Sequence, residues 1–194
     1  MEHTGKKRNT WVFPWSYREG FYISLLLLIT GFLLELAAPV NFKMLFSWPL
    51  NIQIGIVFTM VIIFMHSVYR KSPVRKWLAS VPAAISSISL FAFLVLILGL
   101  VPQVGTGSIF SKLGLTHVKQ SWPFFLSALF LMTSLGLTIL KRARSFKGKN
   151  IGFFLNHFGL WLIILSGSLG SGDMQRVSME IREGSMSRTG YTSQ

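Results

Sequence analysis

Five apolar stretches of about twenty residues each decide what this chain can fold into. They are Phe21–Val40, Pro49–Tyr69, Leu78–Val101, Trp122–Leu140 and Ile151–Gly170. A helix rises about 1.5 Å per residue, so about 20 residues cross a hydrocarbon layer roughly 30 Å thick. Within that layer the backbone finds no water, and a spanning segment must satisfy its N–H and C=O groups inside its own helix. The expected fold is therefore an all-α integral membrane protein with about five transmembrane helices. The composition agrees: 13% of residues are charged, about half the share of a soluble domain, and the mean hydropathy is +0.54.

The basic residues predict the orientation, because Lys and Arg are retained in cytoplasmic loops. Lys6, Lys7, Arg8 and Arg18 precede the first span, and Arg70, Lys71, Arg75 and Lys76 join the second to the third. Lys141, Arg142, Arg144, Lys147 and Lys149 join the fourth to the fifth. Together these are thirteen of the nineteen Lys and Arg residues. Lys43, Lys112, Lys119, Arg176, Arg182 and Arg188 are spread over the other side. The N-terminus is expected inside and the C-terminus outside. The net charge of +13 then reads as topology signals beside anionic headgroups, so the expected partner is the lipid bilayer and no nucleic acid. Trp11, Trp15, Trp48, Trp77 and Trp122 fall near span ends and are expected as interfacial anchors. The first apolar run is long and lacks a small-residue cleavage site, so it reads as a retained helix.

Four regions follow. Residues 1–20 form a basic cytoplasmic segment, 21–77 carry two helices, 78–170 carry three more, and 171–194 form a polar exported tail. In the tail Val177, Met179 and Ile181 alternate with Ser178, Glu180 and Arg182 before Glu183-Gly184, a strand-and-turn signature. One strand is not stable alone, so the tail is expected to pair with a partner or to open a larger exported β domain.

The chain has no cysteine, which excludes disulfides, thiolate metal sites and cysteine nucleophiles. Ionisable groups inside a membrane are costly and become candidates for function. Three fall within the spans: Glu35, His66 and His157. Glu35 lies near the outer end of the first span and is expected as a carboxylate that reaches toward the headgroups or is bound to a helix. His66 stands one turn from Arg70 near the cytoplasmic surface. His157, in "NHFGLWLIILSG", lies about 8 residues, or roughly 12 Å, beyond Lys149 and out of easy reach of the interface. A neutral imidazole is tolerated there when one nitrogen donates to a carbonyl, which leaves the other to accept or to ligate a metal. Gly159, Gly167 and Gly170 leave room for a partner helix or a flat cofactor. A histidine hydrogen-bonded between helices is the alternative.

The last three spans carry "SLFAFLVLILGLVPQ", "LGLTHVKQSWPFFLSALFLMTSLGLTILKR" and "NHFGLWLIILSGSLGSGDMQRVSMEIREG". In order and spacing this region, roughly Ser86 to Gly184, resembles the ResB (also called CcsB) family of system II cytochrome c maturation. The matching elements are Pro102-Gln103 after the first core helix, Ser121-Trp122 opening the second, and Lys141-Arg142 closing it. His157 and Gly159 open the third, and Glu183-Gly184 match the turn after the first exported strand. Two helices precede this core, as in longer variants fused to a partner, and the family's large exported domain lies beyond the resemblance. The resemblance implies a multi-pass protein of the bacterial cytoplasmic (inner) membrane. It would act with a CcsA-type partner to export haem and attach it to apocytochrome c. It also implies that His157 is one axial ligand of haem iron, the second coming from CcsA.

Two other readings stay open. His66 and His157 both lie toward the cytoplasmic leaflet and would face each other in a bis-histidine haem b protein. A cofactor-free helical scaffold or assembly subunit would use His157 only as a hydrogen-bonding residue. Neither a Ser–His–Asp set, a carboxylate pair nor a phosphate-binding glycine loop is apparent, so the chain is not expected to be an enzyme alone.

Overall fold

A computed structural model describes residues 10–40, 42–103, 109–143, 148–174, 177–179, 184 and 190–192. Lys6, Lys7, Arg8, Arg144, Lys147, Arg176, Glu180, Ile181, Arg182, Glu183 and Arg188, all named above, lie outside the described residues. The five apolar stretches form α1 (Tyr17–Ala37), α3 (Leu50–Val68), α5 (Val81–Leu100), α7 (Trp122–Ala143) and α8 (Ile151–Leu169). All five are long and apolar enough to cross a membrane. The chain is a multi-pass helical membrane protein.

Three short helices lie in the connections: α2 (Phe42–Leu45), α4 (Pro73–Leu78) and α6 (Ile109–Lys112). Helix α1 begins at Tyr17 rather than Phe21 because Ser16 and Glu19 form a capping box. The Ser16 backbone N–H and hydroxyl both donate to the Glu19 carboxylate, at 2.7 and 2.5 Å. The helix stops at Ala37, ahead of Pro39, since a proline disfavours helical backbone in the residue before it. Pro73 fits the first turn of α4, where no intrahelical N–H is needed.

Small polar side chains share the interior with apolar ones, and large apolar side chains cover the outside. Ser24, Ser86, Ser87, Ser127 and Ser134 are buried, while Leu26, Leu33, Met60, Leu96 and Ile163 are exposed to what would be lipid. Lipid tails are as apolar as leucine, so helices gain nothing by hiding leucine. They associate through close backbone approach and interhelical hydrogen bonds. A Cβ on Gly31 would sit 2.6 Å from Pro123 Cα, and one on Gly20 2.8 Å from Ser86 Oγ. A side chain at either position would therefore push α1 away from α7 or α5. Ser24 donates to the Ser86 carbonyl (3.1 Å), and Ser134 to the Leu78 carbonyl (2.8 Å).

Helix α7 is the central element. It packs against α1, α3, α4, α5 and α8, and 56% of its spanning window is buried, against 6% for α8. Helix α1 makes its main contacts with α7 and α5, so the first span is part of the bundle that holds the last three. On the other flank Ile62 of α3 and Trp161 of α8 close over Gly136 of α7, and Trp161 Nε1 donates to the Met132 carbonyl (3.2 Å).

The tail supplies its own strand partner. Residues Val177–Ser178 (β1) pair antiparallel with Tyr191–Thr192 (β2), with Gly184 at φ +79° between them. This two-residue ladder leaves the expected pairing with a partner or with a larger exported β domain as it stood. The second strand was missed because Tyr191-Thr192 is too short to show an alternating pattern.

Candidate functional site

Two groups of ionisable side chains from the spans lie toward the two ends of α7. At the end carrying Trp122, Glu35 of α1 is buried, with 3% of its side chain exposed. Its carboxylate accepts the Trp122 backbone N–H at 2.8 Å. A carboxylate at a helix N-terminus meets unpaired N–H groups and the positive end of the helix dipole, so it is well held there. Glu35 is thus a helix-bound carboxylate that caps α7, rather than one that reaches for the headgroups. His117 brings Nε2 to 3.6 Å from the other carboxylate oxygen. Gly114 (φ +72°) folds the preceding loop over the carboxylate, where a Cβ would lie 3.1 Å from Glu35 Cδ. A side chain at that position is strained twice, by the left-handed backbone and by the contact.

Gln103 ties this loop together. Its amide donates to the carbonyls of Val101 (2.8 Å) and Leu115 (3.1 Å) and accepts from the Val118 N–H (3.0 Å). Trp122 adds an indole hydrogen bond to the Ala38 carbonyl (2.8 Å). Gln103 and Trp122 therefore tie together the ends of α5, α1 and α7 on this side of the bundle. Sequence reasoning did not find the Glu35–Trp122–His117 grouping. Glu35 and Trp122 are 87 positions apart, and a backbone N–H leaves no mark on residue identity.

At the opposite end stand Arg142, Phe153 and His157. The Arg142 guanidinium lies 4.7 Å from the Phe153 ring centroid, and the imidazole of His157 stacks on that ring at 3.7 Å. His157 Nδ1 lies 2.9 Å from the Phe153 carbonyl oxygen. A carbonyl only accepts, so Nδ1 carries the hydrogen. In the neutral imidazole, Nε2 then holds the free lone pair, and no described residue bonds it. Gly159 beside it has nothing within 4 Å of where a Cβ would point.

His66 has the reverse arrangement. Its Nδ1 lies 2.6 Å from an Arg75 guanidinium nitrogen, and a guanidinium only donates. Neutral His66 therefore carries its hydrogen on Nε2. Arg75 is brought to it by α4. No hydrogen bond or ring contact joins His66 to His157 among the described residues.

Trp77 departs from the interfacial role expected of it. It is 5% exposed and packs between Trp15 (5.3 Å) and Phe130 (6.0 Å). Trp11 and Trp48, at 53% and 69% exposed, keep open faces at span ends.

Among the described residues no group of three or more His, Asp or Glu side chains could hold a metal ion. A four-ligand protein site is therefore not formed by these residues. A macrocycle that brings its own four nitrogens asks less of the protein, since axial ligands suffice. His157 offers one such nitrogen. Comparison with known proteins returns no matching family model, curated protein or solved structure.

Proposed function

We propose that this chain is a membrane component of cytochrome c maturation in a bacterial inner membrane. In this reading it works with a CcsA-type partner in moving haem outward for attachment to apocytochrome c. The observation that carries it is the hydrogen bond from His157 Nδ1–H to the Phe153 carbonyl. Backbone bonding of one ring nitrogen orients the imidazole and leaves Nε2 as a ligand, the usual arrangement of a metal-bound histidine. Haem would supply the redox-active iron and a flat apolar ring suited to a helix face. His157 would hold one axial position, and the second ligand would come from the partner. The resemblance in the last three spans supports the same assignment.

Co-expression with a CcsA-type partner and purification of the complex tests this. Haem absorbance is expected in the wild-type complex and is expected to fall in His157→Ala and His157→Gly. Absorbance equal to wild type in both variants removes the ligand role.

The Arg142–Phe153–His157 stack favours a second reading, a cofactor-free scaffold in which the imidazole is a packing element. His157→Phe separates the two. It keeps a ring for the stack and has no ligating nitrogen, so a scaffold would retain its function and a haem-handling subunit would lose it. The bis-histidine alternative has weaker support, because the Arg75 hydrogen bond occupies the lone pair that His66 would need at Nδ1 and puts a hydrogen on Nε2.

A further inference from the structure

A cavity of about 340 Å³ opens between α3, α7 and α8, on the half of the bundle nearest Trp122. This volume falls within the range of small-molecule sites, roughly 300–1,000 Å³. The cavity runs along α7 from Phe124 to Met132, about 12 Å at the helical rise. Its wall includes Phe58, Leu129, Met132 and Ile164. Such a wall cannot satisfy a polar ligand, so the part of any occupant that enters must be hydrocarbon.

Among the described residues Lys119 is the one charged side chain that lines it. It lies in the turn before α7 and is exposed, and no described carboxylate pairs with it. The acidic groups at this end are engaged elsewhere. Asp173 accepts from the Trp48 N–H (2.8 Å) and the Asn51 amide (2.7 Å), and Glu35 accepts from Trp122. The lining thus has a hydrocarbon interior and a single positive charge.

We propose that this cavity holds one acyl chain of an anionic phospholipid, with Lys119 against the headgroup phosphate. The site is independent of His157, which lies at the other end of α7. The surrounding bilayer supplies the occupant, and the charge selects it from zwitterionic lipids carrying the same chains.

The test uses the full chain reconstituted with phosphatidylglycerol or phosphatidylcholine, each bearing the same photoreactive acyl chain. Labelling is expected on the α7 and α8 peptides around Leu129 and Ile164. It should favour phosphatidylglycerol about fivefold, the preference one basic residue gives near anionic lipid. Lys119→Gln, a surface change, should abolish that preference and leave residual labelling at the same peptides. Ala128→Leu, which narrows the cavity, should reduce labelling there with either lipid. Ala128→Ser keeps the space and serves as its folded control. Equal labelling by the two lipids, labelling spread over all five helices, or displacement of phosphatidylglycerol by an uncharged isoprenoid would each overturn the proposal.

Discussion

The carboxylate of Glu35 accepts the backbone N–H of Trp122 at 2.8 Å, so the end of the first span caps the start of the fourth. One buried acid thereby joins two helices whose backbones already touch lower down, where Gly31 meets Pro123. Removing it should leave an unpaired N–H in an apolar setting. Glu35→Leu is expected to lower stability by about 2 kcal/mol, the scale of a hydrogen bond to a charged group. Glu35→Gln, which keeps an acceptor oxygen, should lose roughly half as much. Denaturation midpoints in mild detergent measure both, and a Leu variant as stable as wild type would remove the capping role.

Gly31 tests the helix contact itself. A Cβ there would overlap the Pro123 backbone, which cannot swing aside as a side-chain tip can. Gly31→Leu should separate α1 from α7 and cost on the order of 3 kcal/mol, the upper range for overpacking. Gly99→Leu, at a position open to 4 Å, is expected to be neutral. Thermal unfolding of the two variants side by side gives the comparison.

Gln103 should govern the loop between α5 and α7. In Gln103→Leu the Val118 N–H loses its acceptor, so its amide hydrogen is expected to exchange at least about tenfold faster, the equivalent of ~1.4 kcal/mol of local protection. Unchanged exchange at Val118 would mean the loop is held by other contacts.

The two intramembrane histidines should be distinguishable by their neutral tautomers. With ¹⁵N-labelled histidine in detergent or lipid, His157 is expected as the Nδ1–H form and His66 as the Nε2–H form. Arg75→Gln should perturb the His66 signals and leave those of His157 in place. A shared tautomer at both sites would contradict the hydrogen bonding described above.

Trp77 and Trp48 make a matched pair. Trp77→Ala empties a space between Trp15 and Phe130 and should cost about 3 kcal/mol, the lower end for truncating a buried aromatic. Trp48→Ala, at 69% exposure, should stay within about 0.5 kcal/mol. Similar losses for both would place Trp77 at the lipid interface after all.

The number of spans was legible in the residues because crossing hydrocarbon demands length and apolarity, both of which are local properties. The positions of α3, α7 and α8 follow the apolar stretches to within a few residues for the same reason. The capping box at Ser16 and Glu19 was also present in the sequence, and it moves the start of α1 ahead of the first apolar residue. The membrane histidines could be named from their places in the spans. Their tautomers could not, since these depend on a carbonyl one turn away in one case and on an arginine carried round by α4 in the other.

What the sequence by itself determined is therefore the class: five helices, an oily outer surface and a short list of intramembrane polar groups. Only the tertiary structure decided which helix is central, which tryptophan is core, and that Glu35 serves α7. Apolar residues cover nearly every face of α1 and α5, so hydropathy carries little record of which face of these helices meets a neighbour. That choice is made by glycine and serine contacts and by backbone hydrogen bonds between residues far apart in the chain.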